Sequence, residues 1–147
     1  MSRTRLYCDT TVILIAAGAA ADPETTAASR SCIHACASQT QAGEISTEVL
    51  QELLHTAAWR QTRNQSLELV ALTARIFPHP LPISSATILD AGELLREYPQ
   101  LGTRVALHAA VMRAAGIGEV ISTDNEFGLI SGIRRSSPVD AVRTFRL

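Results

Sequence analysis

The chain contains no lysine, so all 13 of its basic residues are arginine. Arginine is the better planar ligand for phosphate, which would suit a protein that handles nucleic acid. A GC-rich genome explains the same bias without any function, and we favour that explanation for the bias as a whole. The net charge of −1 predicts no general attraction to nucleic acid.

Cysteine is scarce, and no apolar run is long enough to cross a bilayer. The three cysteines, Cys8, Cys32 and Cys36, are an odd number without a disulfide framework, which suits a reducing cytoplasm. His34 lies between Cys32 and Cys36, but the three do not share one helix face, so we expect no zinc site. The apolar stretch 12–21 is too short for a membrane span, and no signal-peptide pattern precedes it. We therefore expect a cytoplasmic protein without a membrane segment.

The proportions of apolar and charged residues predict one folded domain. Of the 147 residues, 46% are hydrophobic and only 18% are charged, and this composition argues against global disorder. A chain of this length fits a single domain with a real core. No repeat, linker or low-complexity tail divides it, so residues 1–147 are predicted to form one unit.

Short apolar runs alternate with helical patterns along the chain. Strands are predicted at 6–8, 44–46 and 120–122, with a short extended piece at Ile83 and a final edge strand at 139–145. Helices are predicted over 12–21, 23–41, 47–61, 64–76, 85–97 and 103–115. This alternation predicts an α/β fold with a mostly parallel sheet covered by helices on both faces.

Acidic residues follow two of the predicted strands or lie early in a helix. Asp9 ends the first strand and is the only charged residue between Arg5 and Asp22. Asp124 follows the 120–122 strand, and Glu52 lies in the helix that begins near residue 47. Since ligands of parallel sheets bind at the carboxyl ends of the strands, we expect these carboxylates in one crevice. Such a group of oxygens would hold Mg²⁺ or Mn²⁺ for phosphodiester cleavage.

Each acid also has a simpler structural explanation. Asp9 could cap the helix that follows it, because Asp followed by Thr-Thr is good capping chemistry. Glu52 could face solvent on an amphipathic helix, with Glu48 one turn earlier as a spare acid. Asp124 could be an ordinary turn residue in Ser-Thr-Asp-Asn.

Several basic residues are candidates for contacts with RNA. Arg104, Arg134 and Arg135 could hold phosphates near the acids, although a solvated surface is an equal alternative for each. His108 is expected to be a packed histidine bonded to backbone rather than a catalytic base.

The order and spacing of four motifs resemble one family. They are Asp9-Thr10 after strand 1, Ser46 with Glu52-Leu53-Leu54, Ala-Leu-His-Ala-Ala at 106–110, and Ile-Ser-Thr-Asp-(x)2-Phe ending at Phe127. From Leu6 to about Pro138 the chain resembles a PIN domain, most closely the VapC-type toxins of bacterial toxin–antitoxin pairs. The resemblance implies a PIN-like three-layer sandwich and a small Mg²⁺-dependent endoribonuclease. It also implies a homodimer that a cognate antitoxin silences.

The resemblance assigns roles to three acids and exposes two departures. Asp9, Glu52 and Asp124 match the family's first, second and last acids, and are the implied catalytic and metal-binding residues. The third acid normally stands where this chain has Val105, and the aspartate that often follows the motif's phenylalanine is Gly128. We expect Val105 at the rim of the crevice, with its side chain pointing inward.

Two functions of different classes follow. The first is a metal-dependent endoribonuclease whose metal affinity is lowered because Val105 replaces a carboxylate. The second is a catalytically impaired PIN domain that acts by binding RNA or an antitoxin. An engineered origin of Val105 is a further alternative, which the coding sequence would settle.

Overall fold

The structure is a computed structural model that describes residues 3–59 and 63–147. Within these ranges four short strands form one sheet in the order β2-β1-β3-β4, and every neighbouring pair is parallel. The strands are β1 (Leu6–Cys8), β2 (Gly43–Glu44), β3 (Glu119–Ile121) and β4 (Arg134–Ser136). The predicted α/β fold with a parallel sheet is confirmed.

Helices connect the strands and flank the sheet as a three-layer sandwich. They are α1 (Thr10–Ala16), α2 (Pro23–Ala37), α3 (Thr47–Trp59), α4 (Arg63–Ile76), α5 (Ser85–Glu97), α6 (Thr103–Ala114) and α7 (Pro138–Phe145), with a 3-10 helix at Asn125–Leu129. Helices α1 and α7 pack on α2, α3 packs on α4, and α5 packs on α6. In the part of the chain that the structure describes, no helix is both long and apolar enough to span a membrane.

Residues 138–145 form a helix, so the predicted edge strand at 139–145 is wrong. Ser137 caps α7 by accepting a hydrogen bond at its Oγ from the Asp140 amide, at 3.1 Å. Pro138 occupies the first turn, where its missing amide hydrogen costs nothing. The actual edge strand is β4, immediately before this cap.

Local backbone chemistry moves several other boundaries. Helix α1 begins at Thr10 rather than Val12 because Asp9 is its N-cap, and it ends at Ala16, shortly before Gly18 with φ of +111°. Helix α2 ends at Ala37 instead of residue 41. The extended piece predicted at Ile83 lies at Leu81, which pairs with Ser46. The predicted end of α3 at residue 61 lies outside the described residues.

The central strand carries the sheet into the core. Leu6, Tyr7 and Cys8 of β1 are at most 1% exposed, because β1 is paired on both sides and covered on both faces. A fully buried strand fixes the residue that follows it, so Asp9 has a defined position at the sheet's carboxyl edge.

Gly43 in β2 is required because the strand passes close to α2. A Cβ at this position would lie far inside van der Waals distance of the Cys36 Sγ and 3.3 Å from a Phe77 ring carbon. Gly43→Ala should therefore lower the free energy of unfolding by about 1–3 kcal/mol through overpacking. Urea denaturation followed by circular dichroism measures this.

The control is Gly92→Ala in α5, where an added Cβ meets no atom within 4 Å and should raise stability by up to about 1 kcal/mol. In a protein that already carries Cys36→Ala, Gly43→Ala should lower the free energy of unfolding by less than it does in the wild type. Equal costs in the two backgrounds would contradict the proposed clash.

Candidate active site at the carboxyl edge of the sheet

Asp9 is the buried centre of the site. It has no exposed surface, and its position directly after β1 places it beside Ser122, which directly follows β3. Its carboxylate accepts hydrogen bonds from the Thr10 amide at 2.8 Å, the Thr11 hydroxyl at 3.0 Å and the Ser122 hydroxyl at 2.5 Å. The capping explanation for Asp9 is therefore correct, and capping leaves its carboxylate at the edge where two strands end.

Two further acids approach the same point from other elements. Glu52 comes from α3, and its side chain is 16% exposed. Asp124 caps the 3-10 helix by accepting from the Glu126 amide at 3.0 Å, and its side chain is 25% exposed. The structure thus brings together the three acids that the sequence singled out, as expected for one crevice.

Arg104 lies between the three carboxylates. Its Nη1 and Nη2 donate to the two oxygens of Asp9 at 2.8 and 3.1 Å, a bidentate ion pair. Nη1 also lies 3.3 Å from Glu52 Oε2, and Nη2 lies 3.3 Å from Asp124 Oδ2. A residue that was one of three candidate phosphate contacts is instead engaged with the acids.

His108 holds Glu52 from the opposite side. Its Nε2 lies 2.6 Å from Glu52 Oε1, and its Nδ1 lies 2.6 Å from the Tyr7 hydroxyl, which in turn lies 2.7 Å from Ser46 Oγ. An ionised carboxylate only accepts, so with the ionised form of Glu52 the donor of that bond is Nε2. His108 is fully buried as expected, but the expectation of backbone bonds is wrong, because both ring nitrogens bond to side chains.

Spacing along the sequence indicates which residues belong to the site in addition to the three acids. Arg104 and His108 lie at i and i+4 on α6, so they share one helix face. Tyr7 and Asp9 lie at i and i+2, the spacing of side chains on one side of an extended chain. Phe127, the end of the Thr-Asp-(x)2-Phe motif, is fully buried with its ring centroid 6.3 Å from that of His108.

Val105 does not line an open rim. It is 1% exposed and belongs to the hydrophobic core, whereas the side chain of its neighbour Arg104 enters the acidic cluster and is 33% exposed. The expected rim position of Val105 is therefore wrong. The first turn of α6, which carries no acidic residue, presents an arginine to the carboxylates.

The other two candidate phosphate ligands differ from Arg104. Arg134 on β4 pairs with Glu119 on the adjacent strand β3. Arg135 donates from Nη1 to the Ser122 carbonyl at 2.8 Å, so it supports the backbone beside Asp9. Neither side chain replaces Arg104 among the carboxylates.

Burial and charge compete at these groups. Burial by itself would raise the pKa of Asp9, but the hydrogen bonds and charge of Arg104, with smaller effects of His108 and Ser122, hold that pKa below its usual value. Burial works against the charged form of Arg104, yet Asp9 and Glu52 raise its pKa. Burial and the charge of Glu52 raise the pKa of Glu48. Asp9 and Arg104 therefore stabilise each other's charged forms.

The donors around Asp9 do not fit a divalent metal ion in this arrangement. Its two oxygens accept five hydrogen bonds, two of them from Arg104, whereas a carboxylate offers about four lone-pair sites. Among residues 3–59 and 63–147, no three His, Cys, Asp or Glu side chains are grouped so as to hold a metal. Arg104 is the cation that these carboxylates contact in this arrangement.

Comparison with known proteins agrees with the motifs. The PIN domain family matches residues 6–132, so the family predicted from the sequence is confirmed. No curated protein sequence matches the chain.

Two solved structures share the fold. A chain of VapBC2 from Rickettsia felis, bound to a DNA fragment from its promoter, has a TM-score of 0.71 and 17% identity, covering 91% of this chain and 98% of that chain. VapC20 from Mycobacterium tuberculosis, described as a toxin that cleaves the sarcin–ricin loop, has a TM-score of 0.68 and 17% identity. Its match covers 84% of this chain and 93% of that chain. At this identity the likeness shows a common fold.

The ion pair of Asp9 predicts how stability depends on pH. The folded-state pKa of Asp9 is lowered, so its ionised carboxylate contributes to the free energy of unfolding above the unfolded-state pKa of about 3.9. That contribution is lost as pH falls through the folded-state pKa. Asp9→Asn should therefore lower the free energy of unfolding by about 3 kcal/mol at pH 7, the low end of the range for a broken buried ion pair. The gap between the free energies of unfolding of the wild type and the variant should narrow below about pH 4.

Urea denaturation of both proteins between pH 3 and pH 7 measures this gap. Glu97→Gln, at an exposed position of α5, controls for the loss of one acid. A gap of the same size at every pH would show that Asp9 stabilises the fold without its charge.

Proposed function

This chain belongs to the PIN-domain family, and on that premise we propose that it is an endoribonuclease of the VapC type with low activity. The observation that carries the proposal is the convergence of Asp9, Glu52 and Asp124 around one guanidinium at the carboxyl edge of a parallel sheet. Ligands of such sheets bind at this edge. RNA as the substrate is supported by the fold shared with VapC20, a toxin that cleaves the sarcin–ricin loop.

The geometry suits different roles for the acids and for Arg104. The buried His108 orients Glu52 by bonding to its Oε1. The other oxygen of Glu52, Oε2, lies 3.3 Å from Arg104 and is a candidate to orient an attacking water. Arg104 is the group able to offset negative charge on a phosphate. Asp9 and Asp124 hold that guanidinium in place.

Two features predict low activity. Arg104 already makes a bidentate pair with Asp9, so it must leave at least one carboxylate before it can bind a phosphate in the same way. Val105 supplies no carboxylate where the PIN resemblance places the third acid. Mg²⁺ or Mn²⁺, the ions that the resemblance implies, would also have to displace Arg104 before reaching Asp9.

The saturation of Asp9 favours a second candidate function. A site whose central carboxylate has no free lone pair could hold RNA without cutting it, or bind an antitoxin in place of an active relative. Filter binding with labelled RNA separates the two functions. Retention of intact RNA, with no cleavage by the wild type or by the variants below, would favour binding alone.

Partners are proposed on the surface of α3 and α4. Leu54 on α3 and Leu67 and Leu72 on α4 are each at least 41% exposed, and further exposed apolar side chains are Ile88, Leu89 and Leu129. A cognate antitoxin with an apolar helix or strand would suit this surface. The homodimer and the cytoplasmic location remain predictions.

Val105→Asp tests the proposed nuclease. It restores an anion in the first turn of α6, where the helix dipole favours negative charge, and should raise the rate of RNA cleavage by at least about tenfold, or about 1.4 kcal/mol of barrier. Cleavage of structured RNA, with Mg²⁺ titrated, measures the gain. The wild type should cleave weakly.

Val105→Asn is the matched control, because it places nearly the same shape in the core without the charge. Asp9→Asn added to Val105→Asp should abolish the gain. If Val105→Asp folds and cleaves no faster than Val105→Asn, the missing third acid does not limit the site. Strong cleavage by the wild type at low Mg²⁺ would show that three carboxylates are enough.

A further inference from the structure

We propose that Arg104 is a built-in cation that occupies the metal position of this acidic cluster and excludes divalent ions from it. The proposal concerns which cation the carboxylates hold, and it stands whether or not the protein cuts RNA. It comes from a disagreement between the family, which implies Mg²⁺ or Mn²⁺, and the donor set of this chain. The carboxylates are present, but the space between them is filled.

The first step is the geometry of the guanidinium. One Arg104 side chain contacts all three carboxylates, with two contacts to Asp9 at 2.8 and 3.1 Å and one each to Glu52 and Asp124 at 3.3 Å. Bidentate pairing uses the planar fork of arginine, which an ammonium group could not reproduce. The two weaker contacts lie on either side of the strong one. Arg104 is thus placed as a bridging ion would be.

The second step is that Arg104 and a metal ion compete for the same lone pairs. With the bonds from Thr10, Thr11 and Ser122 in place, the carboxylate of Asp9 can accept about one further partner, and Arg104 uses both of its oxygens. Mg²⁺ demands near-ideal octahedral geometry and gives up its waters reluctantly, so it cannot share a crowded oxygen. A divalent ion at Asp9 would also lie beside a guanidinium of like charge.

The third step is access. Asp9 is fully buried, whereas the Arg104 side chain is one-third exposed, so part of Arg104 reaches solvent and the carboxylate of Asp9 does not. The chain just before Arg104 is also fixed, because the amide of Gly102, the N-cap of α6, donates to Glu126 Oε1 at 2.6 Å. That bond ties the start of α6 to the 3-10 helix that Asp124 caps. The first turn of α6 is therefore held against the acids.

The fourth step is charge. Arg104 contacts three carboxylates, and one of them, Glu52, is also bonded to His108. Val105 adds no fourth carboxylate, because it is apolar and 1% exposed in the core. The guanidinium therefore already supplies positive charge at the place where a divalent ion would have to bind.

Titration with Mn²⁺ tests the proposal without RNA. The full chain is treated with EDTA and desalted, and free Mn²⁺ is followed by electron paramagnetic resonance for the wild type, Arg104→Gln and Arg104→Gln with Asp9→Asn. We expect Arg104→Gln to bind Mn²⁺ at least about tenfold more tightly than the wild type. We expect the added Asp9→Asn to remove that binding. Val105→Asp combined with Arg104→Gln should bind most tightly.

Arg134→Gln is the matched control, since it removes one arginine from an exposed pair with Glu119 outside the cluster. It should leave Mn²⁺ binding at the wild-type level, which separates local exclusion from a change in net charge. Wild-type binding as tight as that of Arg104→Gln would overturn the proposal. So would equally weak binding by both proteins.

A second measurement does not depend on any variant folding. The melting temperature of the wild type should be the same after EDTA treatment and in millimolar Mn²⁺, because a ligand stabilises only the state that binds it. A rise in the melting temperature of the wild type with Mn²⁺ would overturn the proposal. Mn²⁺ binding by Arg104→Gln together with no RNA cleavage by any variant would reject the nuclease alone.

Discussion

The pairing of Arg104 with Asp9 is the interaction on which the site depends. A carboxylate with no exposed surface at the end of a central strand is costly unless its charge is compensated. Here two guanidinium hydrogen bonds, two hydroxyls and one backbone amide provide that compensation. Because the partners come from α1, from α6 and from the segment after β3, this one charge joins three separate parts of the chain.

The second acid is organised by a separate polar chain. Ser46, Tyr7 and His108 form consecutive hydrogen bonds that end on Glu52, and Tyr7 and His108 are fully buried. Fully satisfied buried networks of this kind restrict the rotamers of their members. Glu52 is therefore held on one side by a fixed imidazole and on the other by Arg104. The arrangement places a carboxylate accurately without requiring a metal ligand sphere to position it.

Much of the fold and part of the site could be predicted from the sequence. Asp9 and Asp124 follow short apolar strands, and parallel strands bring their carboxyl ends to one edge, so their convergence with Glu52 was foreseeable. The helix at 138–145 was missed because Val139, Val142 and Phe145 favour a strand by composition, whereas the cap at Ser137 and Pro138 decides the local conformation. Spacing along α6 could have linked Arg104 to His108, but not to any particular acid.

The sequence by itself determined the family, the parallel sheet and the three acids, because these follow from the order of apolar runs and from the residues that end them. Tertiary structure alone decided what the acids hold. Whether Arg104 turns toward phosphate or toward Asp9 depends on distances between side chains from α1, α3 and α6 that no local pattern encodes. Electrostatic pairing falls off with separation in space, not along the chain, so the identity of the counter-ion appears only once the chain is folded.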